Sequence, residues 1–532
     1  MRTPACRVAT LLAVLLAGSP LLAATEDLGT IDFPTSARSA EAQERFLRGV
    51  LLLHSFTFES AENAFKQALE AEPGFVMAYW GEALSHNHPL LAERDPELPR
   101  GVLKRLGATR EERLAKAPTD RERGFLEAVE YLFGEGTEKE RSLAYVDAME
   151  RLASAYPEDD EVRAFYAVSL LGLVRFGVDP DFRIRMKAGA IAEELFRKNP
   201  DHPGAAHYVI HAFDDPVHAP LALTAAYKYA EIAPDAAHAL HMPSHIFIQH
   251  GMWERVSKSN DLSYDSAIRL WQKREDLSET ERFYNDLYVW HALDWGQYGD
   301  LQLGDYEKAE RRIGLLEPVA AKSKSRPAMM GPREMKARYT IETERWDARP
   351  IAEDATSGEL LATALSAVRT GDRALAEKAE AKLEAMYEKE SAERGEEATR
   401  VLAIIHKEVA SLVRLAGGDG DGAAALMKEA TAIAEAMRAP NGAATPAKPP
   451  NELYGEILLE LGRPEEAKAA FERSLERMAN RTLSLRGLAR AAKACGDMDT
   501  ARESYEKLAR NLERHPDHPS YREATGFSTD NE

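Results

Sequence analysis

Apolar positions in this chain recur every three to four residues almost from end to end, and short-period alternation is nearly absent. That spacing predicts helices and almost no strand. The pattern is clearest in two C-terminal stretches, ELYGEILLELGRPEEAKAAFERSLERM and GLARAAKACGDMDTARESYEKLARNLERHP. Gly462 and Gly496 stand 34 residues apart, as do Ala467 and Ala501, and Phe471 and Tyr505. Gly455 is matched in the same way by Ala489. Each unit reads as two amphipathic helices joined by a glycine turn. The small residues let the two helices approach, and the aromatic fills the space between them.

A 34-residue period with small and aromatic residues at these offsets is that of the tetratricopeptide repeat (TPR). The frame returns near the N-terminus, where Gly49, Ala61, Phe65, Ala68 and Pro73 hold the equivalent places, and again at Gly304/Ala309 and Gly371/Ala376. The expected fold is all-α, a helical solenoid of stacked antiparallel helix pairs over roughly residues 40–513. The frame slips in 91–120 and 270–289, where insertions or longer helices are expected. PNGAATPAKPP, 440–450, cannot be helical throughout and reads as a loop or linker. The expected organisation is a segment 1–24, a solenoid over 25–439, the 440–450 linker, and C-terminal repeats with a tail over 451–532.

The start of the chain departs from the pattern. MRTPACRVATLLAVLLAGSPLLAATED has a basic start at Arg2 and Arg7, an apolar run from Val8 to Ala17, and small residues at Ala23 and Ala24. This is the form of a secretory signal peptide over 1–24, which predicts a periplasmic or secreted protein. Its removal would take the net charge from −20 to −22 and leave one cysteine, Cys495. No intrachain disulfide is then possible, and packing alone must hold the fold. So acidic a chain argues against nucleic acid. The expected partner is a protein or peptide in the concave groove, with no nucleic acid and no membrane span after signal removal. Trp80 and Tyr298 are the candidate groove contacts.

The histidines are unevenly placed. Of fifteen, eight fall between His202 and His250. His207 and His211 stand 34 residues before His241 and His245, so both pairs occupy the same two offsets of consecutive units. Within each pair the spacing is i, i+4, which puts both rings on one helical face. Asp214 continues the first face and His238 the second. One unit further on, His291 and Asp294 point the same way. Imidazoles with carboxylates suit a divalent transition metal such as zinc, copper(II) or non-haem iron. The candidate ligands are therefore His207, His211, His238, His241, His245, His291, Asp214 and Asp294. His202, His218 and His250 sit at ends and turns and are not assigned. His54 and His88, also 34 apart, would edge the groove in contact with solvent. Pro243 lies inside the second helix and should kink it. Tyr208 follows His207, so there is no HExxH motif and no zincin general base.

The stretch HPGAAHYVIHAFDDPVHAP…APDAAHALHMPSHIFIQHGMWERVSKSN, with FLRGVLLLHSFTFESAENAFKQAL and MAYWGEAL, resembles a group of exported bacterial TPR proteins. The resemblance implies an all-helical solenoid and a shared histidine site, and supplies no activity. Thr57 stands where such proteins often carry an aromatic, so no groove contact is assigned to that turn. Three readings stay open. The first is a binding or assembly protein whose groove site holds a metal. The second is a metal-dependent hydrolase or oxidoreductase, with Asp214, Asp215, Asp294, Tyr208 or Tyr298 as acid or base. The third is a metal-free peptide-binding scaffold.

Overall fold

The computed structural model describes residues 27–90 and 95–529; the signal-like segment 1–24 lies outside the described residues. Those residues form an all-helical array with no strand among them. Consecutive helices pack against each other as antiparallel pairs, the arrangement of a TPR solenoid.

The packing rule repeats at both ends. In the N-terminal unit, Ala40–His54 pairs with Phe58–Ala71, and Val76–Leu84 opens the next unit. The ring of Phe65 lies in a slot between Gly49 and Gly81. A Cβ on Gly49 would stand 2.7 Å from that ring, and one on Gly81 closer still. The same slot returns with Phe471 between Gly455 and Gly487. Here the helices are Pro450–Glu460, Pro464–Arg477 and Thr482–Ala494. One aromatic side chain thus sets the spacing of three successive helices, and only glycine leaves it room.

Both expected groove contacts are corrected. Trp80 is buried and packs edge-on against Phe33, Phe125 and Phe165, so it belongs to the N-terminal core. Tyr298 is buried too, and accepts from Arg481 Nη1 at 3.1 Å. Arg481 itself, fully buried, donates to Glu452 and Glu342 and ties the C-terminal repeats to the middle of the array. At these offsets the array buries aromatic mass between helices, which is worth more than leaving it in a wet groove.

Of the 440–450 segment, residues 440–449 lie outside the helices Gly420–Glu435 and Pro450–Glu460, and Pro450 begins the second of them. The segment does more than connect. Ala443 and Ala444 are buried in the same core as the N-terminal helices, and Gln249 Nε2 donates to the Pro440 carbonyl at 3.4 Å. A Cβ on Gly442 would stand 2.6 Å from the Trp295 ring.

Replacing Phe471 by Ala should cost about 3–5 kcal/mol, the range for emptying a buried aromatic site. Gly487→Ala should cost about 1–3 kcal/mol by overpacking the same slot. Denaturant midpoints of the two variants and the parent check both. Two midpoints equal to the parent's would show that the slot does not set the packing.

Candidate metal centre

The helix Pro203–Ala212 starts at a histidine. His202 caps it, its Nδ1 accepting from Ala205 N–H at 3.3 Å, and Pro203 stands at the first helical position. His207 and His211 follow on one face, with ring centroids 4.7 Å apart. The next unit is broken at Pro243 into Ala237–His241 and Pro243–Gln249, as expected of a proline without an N–H. The break does not separate its histidines: His241 and His245 have centroids 5.0 Å apart. The long helix Glu279–Gln302 brings in His291, 4.2 Å from His241.

Six imidazoles converge, in two triads. His207, His211 and His238 form one, and His241, His245 and His291 the other. In each, one ligand atom per residue lies within 4.8 Å of the other two. The triads adjoin, with His211 and His245 centroids 5.8 Å apart. The cross-helix pairing differs from the 34-residue expectation in one respect. His211 does face His245, but His207 meets His238, Nε2 to Nε2 at 3.1 Å.

Hydrogen bonds fix which nitrogen each ring presents. His207 Nδ1 donates to the His54 carbonyl at 2.7 Å. His245 Nδ1 donates to Asp214 Oδ2 at 2.7 Å. His241 Nδ1 lies 2.7 Å from Asn260 Oδ1, whose Nδ2 donates to the Val256 carbonyl, so the proton is on His241 Nδ1. All three rings therefore turn Nε2 inward. Metal-ligating histidines are held in the same way, the outer nitrogen donating to a carbonyl or carboxylate. His241 and His245 then face each other Nε2 to Nε2 at 3.2 Å. With both Nδ1 atoms protonated, two lone pairs meet there, and only a shared cation or an added proton relieves them. Two nitrogens 3.1–3.2 Å apart and each about 2.0–2.1 Å from one ion would subtend roughly 100° at it, close to a tetrahedral bite. The third ring of each triad carries a buried nitrogen with no hydrogen-bond partner on the protein, His211 Nε2 and His291 Nδ1.

Burial holds these rings neutral. His207, His211, His238, His241 and His291 all lie well below the usual imidazole pKa, first because they are desolvated and then because neighbouring imidazoles repel a second charge. A neutral imidazole is the form that ligates.

The aspartates behave differently from expectation. Asp214 is in neither triad: it accepts from His245 and from Gln249 Nε2, at 3.2 Å, and so orients the His245 ring. Asp294 is paired with Arg338 at 2.9 Å, outside both triads. Asp215 binds His218, a contact between neighbouring turn residues. His250 caps a helix end. His54 does not edge a groove in solvent. It is fully buried, held by Tyr208 Oη at 2.8 Å and Glu161 at 2.9 Å, and lies against Gly204, where a Cβ would overlap its ring. His88 stacks on Tyr284 with centroids 4.3 Å apart.

Sequence reasoning missed the surround. Phe56 packs on His207, His211 and His238, and its backbone is left-handed at φ +52°. For a bulky residue that conformation costs on the order of 1–3 kcal/mol, and Tyr288 Oη donates to its carbonyl at 2.8 Å. Trp295 covers His241, His245 and His291. Asn260 and the His54 carbonyl were not legible as partners. The one available sign was Asn260 within the quoted motif.

A tetratricopeptide repeat family model matches residues 451–479. None of the curated proteins matches the chain. Solved structures similar to it include the human IFIT1 dimer with m7Gppp-AAAA, at 15% identity and TM-score 0.36, over 90% of this chain and 91% of that one. The Cut9–Hcn1 hetero-tetramer of APC/C is similar at 11% identity and TM-score 0.32, over 92% and 77%. The P58(IPK) TPR domain is similar at 15% and 0.23, over 86% and 99%. The expectation that an acidic chain excludes nucleic acid is corrected by the first of these, a helical array that holds m7Gppp-AAAA. Net charge does not fix what a helical array binds, because the local field of a cleft does. Among the described residues, no helix is long and apolar enough to cross a membrane.

An unfolded chain protonates its histidines near pH 6.5, and these five folded rings do not. Their contribution to stability is therefore full above that pH and falls as the pH drops below it. The buried Glu408, whose carboxyl is pushed well up by desolvation, contributes in the opposite sense. The direct check is NMR of the ring resonances in metal-free protein at pH 6.0, where these rings should remain neutral. Titration of the five near pH 6.5 would contradict the burial described here.

Proposed function

We propose that this TPR solenoid is a metalloprotein whose six clustered histidines hold two transition-metal ions, three imidazoles to each, and that the centre works on a small molecule. The observation that carries the reading is the pair of inward lone pairs on His241 and His245, 3.2 Å apart, with orphaned ring nitrogens on His211 and His291 beside them. Protein groups alone leave these atoms unsatisfied, which is costly in a buried site. An all-imidazole donor set favours zinc, copper, iron or nickel over magnesium and calcium.

Three protein ligands with a further position open is the pattern of catalytic zinc, whereas structural zinc sites are closed by four. Four of the six rings, His211, His238, His245 and His291, line a cavity of about 450 Å³. This favours the metal-dependent enzyme over a purely structural centre. When bound, such ions act as Lewis acids and lower the pKa of bound water. The chain's own part is positional. The His54 carbonyl, Asp214 and Asn260 hold three rings in one tautomer, while Trp295 covers one triad and Phe56 packs on the other at the cavity wall.

Metal analysis of purified protein after supply of zinc or copper at neutral pH should find two ions per chain. His211→Ala and His245→Ala should each reduce this to one or none, with helical content retained, because stacked repeats stabilise the array along its length. Asp214→Asn should keep the ligands but weaken binding about 10–100-fold. Because burial already holds five of these rings neutral at pH 6.5, proton competition should weaken metal affinity only at pH values well below roughly 6.5. Protein that takes up far less than one ion under these conditions sinks the reading.

A further inference from the structure

The cavity that touches the histidines has walls of two kinds. Phe58, Tyr284, Tyr288 and Trp290 give it aromatic faces, with Leu171 and Val174 between them. His88, stacked on Tyr284 at an interplanar angle of 7° and packed on Phe58 with centroids 4.0 Å apart, extends the aromatic surface. Apolar aromatic walls select a ligand with a ring. Size sets the upper bound. A cavity of about 150 Å³ already holds benzene, so about 450 Å³ takes a fused or substituted ring system and little more.

The same cavity is lined by two arginines, Arg175 and Arg185. Arg185 is buried, and its nearest carboxylate, Asp179, is 3.7 Å away. Asp179 is itself engaged by the backbone N–H groups of Ile184 and Arg185. Arg175 is paired with Glu138 through Nη2 at 2.6 Å. In both guanidiniums the Nε–H is buried and has no acceptor on the protein. Buried charged donors without acceptors are expensive to keep. They are expected where an anionic oxygen arrives with the ligand, and guanidinium is the group best shaped for a carboxylate. Asp214 also lines the cavity, and His211, His238 and His291 are held neutral, so what the walls offer an anionic oxygen is the pair of guanidinium Nε–H groups rather than a net positive field.

We propose that the cavity binds a small aromatic carboxylate, the carboxylate taken by Arg185 and Arg175 and the ring held among Phe58, Tyr284, Tyr288 and Trp290, in reach of the histidine triads. The inference names a substrate class for the centre proposed above. Only its last element, proximity to bound metal, rests on that reading.

The test uses 1-naphthoate and its uncharged counterpart 1-naphthamide, titrated calorimetrically into chelator-treated and metal-supplied protein. The acid should bind one to one, at least about tenfold tighter than the amide, since a buried charged hydrogen bond contributes on that scale. Arg185→Met should remove this preference while its melting curve stays near the parent's. Val174→Trp, which fills the cavity without touching a charge, should abolish binding of both probes. With cobalt(II) in the site, 1-naphthoate should shift the visible absorption bands. Equal affinity for acid and amide, or a preference that survives Arg185→Met, would overturn the proposal even with metal bound at full stoichiometry. Acid preference in protein that binds no metal would instead uphold the pocket and reject the metal centre. Bound naphthoate that leaves the cobalt bands unchanged would overturn the placement beside the triads.

Discussion

His207, His241 and His245 each give the Nδ1 proton to a fixed acceptor, and the rest of the site follows from that. The acceptors are a backbone carbonyl, a carboxamide and a carboxylate, on three different segments of the chain. Once those protons are placed, the inner nitrogens can only be lone pairs, and the helices hold them at 3.1–3.2 Å from their neighbours. A protein that needed only to pack this volume would have used leucine and phenylalanine, as the same solenoid does around Phe65 and Phe471. The rings remain polar in a largely buried site whose facing lone pairs call for a cation, and burial has made a proton a poor one. A metal ion, bound without adding charge to any single ring, suits the environment better.

The array's mechanics explain how rings from so many segments meet. The Phe65 and Phe471 slots keep neighbouring helices at short, regular spacing. Equivalent offsets in successive units therefore come side by side, which is how a 34-residue repeat turns two HxxxH pairs into one cluster. The cluster is then walled from three distant parts of the chain. Phe56 comes from the first turn, Trp295 from the long helix, and the 440–450 loop is drawn back onto Trp295 and Gln249. The left-handed backbone at Phe56 fits this account, since strain of that kind persists only where the surroundings hold it.

Much of this was legible before any coordinates, and the part that was not has a physical cause. The repeat period, the two i, i+4 pairs, the break at Pro243 and the recruitment of His291 follow from helical geometry within one element or from the period itself. The pairing of His207 with His238 does not, because a ring's partner across two helices depends on crossing angle and rotamer, neither of which is periodic. Asp214 and Asp294 looked equivalent as carboxylates on a histidine face. Arg338 claims one and His245 Nδ1 the other, so neither is left to ligate. Trp80 and Tyr298 failed in a different way: the offset was right, but aromatic residues at it turned into the core. The His54 carbonyl carries no sequence signature, and Asn260 only its place at the end of the histidine stretch, since a tautomer is fixed by whichever acceptor lies within reach.

Arg185 and Arg175 complete the physical picture, because they invert the expectation drawn from charge. Net acidity suggested that this chain would repel anions. The charge that matters to a ligand is the charge it sees after desolvation, in a cleft where nearby groups interact far more strongly than across solvent. There the chain presents two guanidinium Nε–H groups without acceptors, beside His211, His238 and His291, which burial holds neutral. A chain of net charge −20 can thus keep guanidinium donors in an interior cavity. Its outer charge would slow the approach of an anion, while the interior would hold one that arrived. The ring selects for the walls and the carboxylate for the arginines, so the cavity asks for both in one molecule.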